Sequence, residues 1–129
     1  MPIRLDHTTV AATDARASAE FLAAVLGLAV GEPTGPFTPI VMANGVTLDF
    51  YDADDATERG GHFAFLVSED EFSAGLGHLE ATGVTYYPGP FLTRPGEINT
   101  NDGGRGLYFL DPVGHTMELL TVPYGGWPT

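Results

Sequence analysis

The chain has no cysteine and no lysine, and five arginines stand against seventeen acidic residues. Without cysteine there is no disulfide framework, no thiolate metal site and no cysteine nucleophile. A net charge of −12 over 129 residues leaves no cluster of cations for a phosphate backbone, which excludes nucleic acid as a partner. The same charge disfavours strongly anionic small molecules and favours neutral or cationic ones. No run approaches the roughly 20 apolar residues of a membrane-crossing helix. The opening Met1-Pro2-Ile3-Arg4-Leu5-Asp6-His7 enters a strand pattern with no apolar leader, so a cytoplasmic protein is expected.

What is present is a globular composition, 43% apolar and 17% charged, long enough for one domain over residues 1–129 with its own core. Leu5 to Ala11 alternates as a strand. Thr13-Asp14 reads as an N-cap, Ala15 to Leu26 as a helix, and Gly27 sits where a helix-ending glycine belongs. Leu28 to Val30 reads as a short strand. Asn44-Gly45 between apolar runs marks a β-hairpin reaching Tyr51. The pattern then restarts: strand from Gly61 to Val67, helix opening at Ser68, short strand from Gly83 to Tyr87. A Pro- and Gly-rich loop from Pro88 to Arg105 is long enough to serve as a lid. A last hairpin turns at Asp111-Pro112-Val113-Gly114.

The two halves correspond, as modules of about 1–55 and about 60–122. His7 and His62 each open a strand, and each lies seven residues before an acidic residue at a helix start, Asp14 or Glu69. Each half closes on a strand with one internal carboxylate, Asp49 or Glu118. The order is βαβββ twice, an α+β fold. Strand parity puts Met117 and Leu119 on one face and Glu118 on the other, and it sets His7, His62 and Asp49 opposite their apolar neighbours in the same way. With helices outside, these four polar side chains belong on one concave face. A carboxylate in a half-buried strand is costly unless it is paired or holds a metal. Two imidazoles with one or two carboxylates suit a divalent cation such as Zn, Fe, Mn, Ni or Co. Each histidine alone also fits a hydrogen-bonded structural role, and Asp49 alone an edge-strand charge. His78 reads as solvent-facing and His115 as structural.

With its opening Leu5-Asp6-His7 and the run from Gly104-Arg105-Gly106-Leu107-Tyr108 to Glu118, the chain resembles the vicinal oxygen chelate superfamily. That group includes glyoxalase I, bleomycin-resistance proteins, fosfomycin-resistance transferases and extradiol dioxygenases. The resemblance implies paired βαβββ modules forming a cupped mixed sheet, usually in a homodimer. It implies His7, His62 and Glu118 as metal ligands, with Asp49 at the fourth place. Ring-cleaving members carry a further histidine shortly before their apolar-Tyr pair. Here Ile98-Asn99-Thr100-Asn101 has none, which disfavours ring cleavage. Only Arg94 and Arg105 lie near a plausible mouth, which disfavours fosfomycin transfer and the glutathione-dependent glyoxalase reaction, and Arg105 equally fits a loop-bracing role.

Two functions follow. In the first, a metal-dependent lyase, isomerase or dioxygenase-like enzyme chelates neighbouring oxygens of a small-molecule substrate. Glu118 or Asp49 then moves the proton, and Tyr51, Tyr108, Arg105 and Phe91 shape the pocket. In the second, the chain sequesters an antibiotic or natural product without chemistry, as bleomycin-resistance relatives do. Its aromatics, among them Phe37, Tyr86, Tyr87, Phe91, Tyr124 and Trp127, would then hold a cationic or planar ligand.

Overall fold

In the computed structural model, which describes residues 2–128, two successive strand-and-helix runs build two separate sheets. The first run is β1 (His7–Ala12), α1 (Ala15–Leu26), β2 (Thr38–Val41) and β3 (Thr47–Asp52). The second is β4 (His62–Leu66), α2 (Glu69–Ala81), β5 (Tyr86–Tyr87), β6 (Gly106–Leu110) and β7 (Thr116–Leu120). One sheet is ordered β1-β3-β2 and the other β4-β7-β6-β5. Each is mixed, because β1 runs parallel to β3 and β4 parallel to β7 while the remaining pairs are antiparallel. Among the described residues no helix is long and apolar enough to cross a membrane.

Local chemistry sets the helix ends. Asp14 accepts a hydrogen bond from the Ala17 N–H at 3.1 Å, and Gly27 closes α1 in the left-handed region at φ 69°. Helix α2 opens on a reciprocal cap: the Glu71 N–H donates to Ser68 Oγ at 3.1 Å, and the Ser68 N–H donates to Glu71 Oε1 at 2.8 Å. That backbone donor lowers the Glu71 pKa below the ordinary carboxylate value. A lowered pKa makes the cap's contribution full above the unfolded value and lost as pH falls through the folded one. Ser68→Ala is therefore expected to cost about 1 kcal/mol at neutral pH. The difference from wild type should shrink below about pH 4, as urea melts at several pH values would show.

The segment Leu28 to Val30 forms no strand. Its counterpart in the second half, β5, pairs with β6 through Tyr86 and Tyr87. In the first half the neighbouring β2 carries Pro39, which has no N–H to offer, and one bond from Gly31 N–H to the Pro39 carbonyl (2.9 Å) is what remains. The first module is thus one strand short of its partner.

Both helices belong to one core. Leu22 and Val25 of α1 and Phe72 and Leu79 of α2 join Ile40, Phe50, Phe109, Met117 and Leu119 in a single buried cluster. Close approach of the helices requires Gly75, where a Cβ would lie 3.0 Å from the Val25 carbonyl oxygen and 3.0 Å from Leu119 Cδ1. His115 ties the halves elsewhere. The Gly61 N–H donates to its Nδ1 at 2.9 Å, so Nε2 carries the proton given to the Ala11 carbonyl at 2.7 Å. With the apolar faces turned inward, the faces bearing His7 and His62 are left outside. Strand β1 pairs with β3 alone and β4 with β7 alone, so each presents a free edge.

Candidate metal site

Register carries the duplication into the site. His7 lies opposite Thr47 and Thr9 opposite Asp49; His62 lies opposite Thr116 and Ala64 opposite Glu118. In each half the histidine is therefore a diagonal neighbour of the carboxylate on the adjacent strand. Only the second half closes the pair.

Glu118 stands on the central strand β7 between β4 and β6, and at 1% exposure it is as buried as its neighbours Met117 and Leu119. His62 Nε2 sits 2.9 Å from Oε1. The Tyr124 hydroxyl sits 2.7 Å from Oε1 and 2.6 Å from Oε2, and the Tyr108 hydroxyl lies 3.0 Å from that of Tyr124. Tyr124 has one proton and gives it to the carboxylate, so Tyr108 must donate to Tyr124. The result is a chain, Tyr108 to Tyr124 to Glu118, met from the other side by His62. Burial, reinforced by the bond to Glu118, pushes the Tyr124 pKa far above the usual phenol value. Burial raises Tyr108 as well, so both hydroxyls remain donors at neutral pH.

His7 is turned elsewhere. Its Nδ1 bonds Asp6 Oδ2 at 2.7 Å on the exposed start of β1. The Asp6 carboxylate raises its pKa above the ordinary histidine value, and the charge of Asp49 adds to the effect. Asp49 makes no hydrogen bond to His7, its side chain being one methylene shorter than that of Glu118. Among the described residues no three His, Asp or Glu side chains come together as a cation site. The convergence of His7, Asp49, His62 and Glu118 expected from parity therefore does not occur within one chain. Parity assigned the faces correctly, but β1 and β4 belong to different sheets.

The other expected pocket residues separate too. Tyr51 accepts from an Arg59 amino group at 3.0 Å and lines a cavity of about 460 Å³ with Thr9, Gly61, Phe63 and His115. A second cavity of about 430 Å³ lies between Leu28, Met42 and β4. Neither is lined by Glu118. Arg105 turns to α2, donating to Glu69 Oε2 and Ser73 Oγ, both at 2.8 Å, with its guanidinium 4.4 Å from the centre of the Phe72 ring. It braces a helix. Arg94 lies 3.9 Å from Glu97 in the exposed loop, where Phe91 is 86% exposed. Tyr108 alone of this group sits at the carboxylate, its ring 5.8 Å from that of His62. Tyr124, expected only as one aromatic among several, is the unforeseen partner. The turn residues Pro123, Gly125 and Gly126 are the one sequence signal that the tail doubles back.

The donor chemistry fits a divalent cation in part. His62 Nε2 and Glu118 Oε1, 2.9 Å apart, are an imidazole nitrogen and a carboxylate oxygen, the donor types such a cation takes. His7 fits as well: a carboxylate on Nδ1 orients the ring and leaves Nε2 for a ligand.

Comparison with known proteins bears on these residues. A family model described as Glyoxalase/Bleomycin resistance protein/Dioxygenase superfamily matches residues 4–119. The chain is 53% identical to a solved structure named Oxidase ChaP-H2, covering 98% of each chain at a TM-score of 0.93. It is 50% identical to Oxidase ChaP-H1, covering 97% of this chain and 100% of that one at 0.92. It is 29% identical over 122 residues to the glutathione transferase FosA of Serratia marcescens, covering 89% of this chain and 78% of that protein.

Proposed function

The chain belongs to the glyoxalase/bleomycin resistance protein/dioxygenase superfamily, and we propose that it is a metal-dependent oxidase of a small molecule that offers two neighbouring oxygens. The observation that carries this reading is Glu118, a carboxylate buried to 1% with an imidazole nitrogen 2.9 Å away. Such a group on an apolar strand is costly unless it is paired, hydrogen-bonded or bound to a metal. Similarity over nearly the full chain to two proteins named oxidases favours oxidation over the other chemistries of the superfamily. Arg94 and Arg105 are engaged elsewhere, which argues against an anionic thiol cosubstrate.

His62 and Glu118 of one copy would hold the cation together with His7 of a second. Two facts support a homodimer. Within one chain His7 has no ligating neighbour besides Asp6 and Asp49, and β1 and β4 present the free edges that His7 and His62 open. When bound, the cation would polarise the substrate oxygens as a Lewis acid, and dioxygen, the electron acceptor of an oxidase reaction, would take the electrons that leave the substrate. Asp6 fixes the His7 ring. Asp49, half-buried beside His7, is the proton acceptor.

Sequestration of a drug without turnover draws on the charge of −12 and on exposed Phe91 and Trp127. Elemental analysis of protein purified without chelator separates the two. The oxidase reading expects about one divalent ion per chain, lost in His62→Ala. Metal-free protein that binds a planar aromatic compound tightly would sink it.

A further inference from the structure

The chain beyond β7 returns across the face that bears Glu118. The Thr121 N–H donates to the Arg105 carbonyl at 3.0 Å, and the Gly126 N–H to the Pro123 carbonyl at 2.9 Å, with Gly125 and Gly126 at φ 81° and 89°. The Gly125 N–H reaches Asp102 Oδ2 at 3.1 Å. This turn throws the Tyr124 ring back so that its hydroxyl meets both Glu118 oxygens, yet the residue is 64% exposed. Its hydroxyl is engaged and its ring is largely in solvent. What holds Tyr124 in place is thus the pair of contacts to Glu118 and Tyr108, not burial of an aromatic face.

We propose that the C-terminal segment is a latch, in which Tyr124 stoppers Glu118 and gives way when His62 and Glu118 take a cation. The inference rests on the reading of His62 and Glu118 as metal ligands. A hydroxyl spanning Oε1 and Oε2 points its proton at the lone pairs a cation needs. His62 Nε2 lies 2.9 Å from Oε1 and the Tyr124 hydroxyl within 2.7 Å of both oxygens, so a cation taken by His62 and Glu118 competes with Tyr124 for the same carboxylate. Release breaks the charge-assisted bond to Glu118 and the bond from Tyr108, and leaves the ring in water, where most of it already is. Trp127, the sole tryptophan and 60% exposed, lies three residues further along and moves with the segment.

The test compares wild type with Tyr124→Phe, using Zn²⁺ in competition with a chromophoric chelator and hydrogen exchange over residues 121–127. Loss of a hydrogen bond to a charged group should let the variant bind Zn²⁺ about tenfold to a hundredfold more tightly. In wild type Zn²⁺ should raise exchange in the segment and shift Trp127 emission. In the variant exchange should already be raised without metal. Equal or weaker Zn²⁺ binding by Tyr124→Phe would overturn the latch while leaving the metal site standing, since a merely positioning tyrosine has that signature. Unchanged metal-free exchange in the variant would overturn the stopper whatever the metal does. Absence of Zn²⁺ binding in both proteins would overturn the metal reading and the latch with it; binding by the variant alone would support both.

Discussion

Glu118→Leu is expected to raise the thermal stability of the metal-free chain while removing its capacity to hold a divalent cation. The residue lies between Met117 and Leu119, each at most 1% exposed, on a strand with neighbours on both sides. Replacing a whole buried ion pair by apolar side chains of similar volume is often neutral or stabilising, by up to about 1–4 kcal/mol, and removal of one member is costly only where the other is left buried and charged. For a domain of this size each kcal/mol raises the melting temperature by about 4 °C. The partners left behind tolerate the change: the His62 side chain is 47% exposed and Tyr124 can turn to water. Glu118→Ala should do the opposite, because it opens a cavity of the kind that costs about 2–5 kcal/mol. Thermal melts in chelator with a parallel metal titration check both. If Glu118→Leu were as destabilised as Glu118→Ala, the carboxylate would be a structural hub rather than a group retained for ligation.

Phe72→Ala should be among the more damaging single changes in the core, at about 3–5 kcal/mol out of a total of about 5–15 kcal/mol. Phe72 is fully buried on α2 beneath the Arg105 guanidinium. Its loss leaves a cavity at the junction of helix and sheet and removes the cation–π contact, itself about 0.5–2 kcal/mol. Arg105 also donates to Glu69 and Ser73, one turn apart on the same helix, so the variant loosens the tie between α2 and the start of β6. Urea unfolding measures this directly. A loss below about 1 kcal/mol, as for a surface residue, would mean that the core does not depend on this contact.

How far the sequence carries the fold follows from which physical rule each element obeys. Helix α1 runs over Ala15–Leu26 as its cap residues predict, because Asp14 and Gly27 act within a single turn. Period-two alternation placed Glu118 on the face of His62, and the pairing of Ala64 with Glu118 bears that out. Alternation says which side of a strand a residue occupies but not which strands lie edge to edge. Parity therefore gives His7 its face and leaves open whether its partners lie in the same chain or in a second one. Position in the chain leaves Arg105 open between the mouth and a bracing role, and Phe72 and Glu69, 33 and 36 residues earlier in numbering, decide for the brace. Tyr124 escaped for a similar reason. Its contact with Glu118 spans only six residues but depends on a turn at Gly125 and Gly126 that no periodicity announces.

Complementation between two defective variants bears most directly on the composite site. His7→Ala and Glu118→Gln should each bind no divalent metal alone. A dimer mixed from the two keeps one site whole, built from His7 of the Glu118→Gln copy and from His62 and Glu118 of the His7→Ala copy. Metal analysis of the unfolded, mixed and refolded proteins should return about one ion per mixed dimer. Continued absence of metal in the mixture, with wild type loading normally under the same treatment, would place all the ligands in one chain and contradict the account.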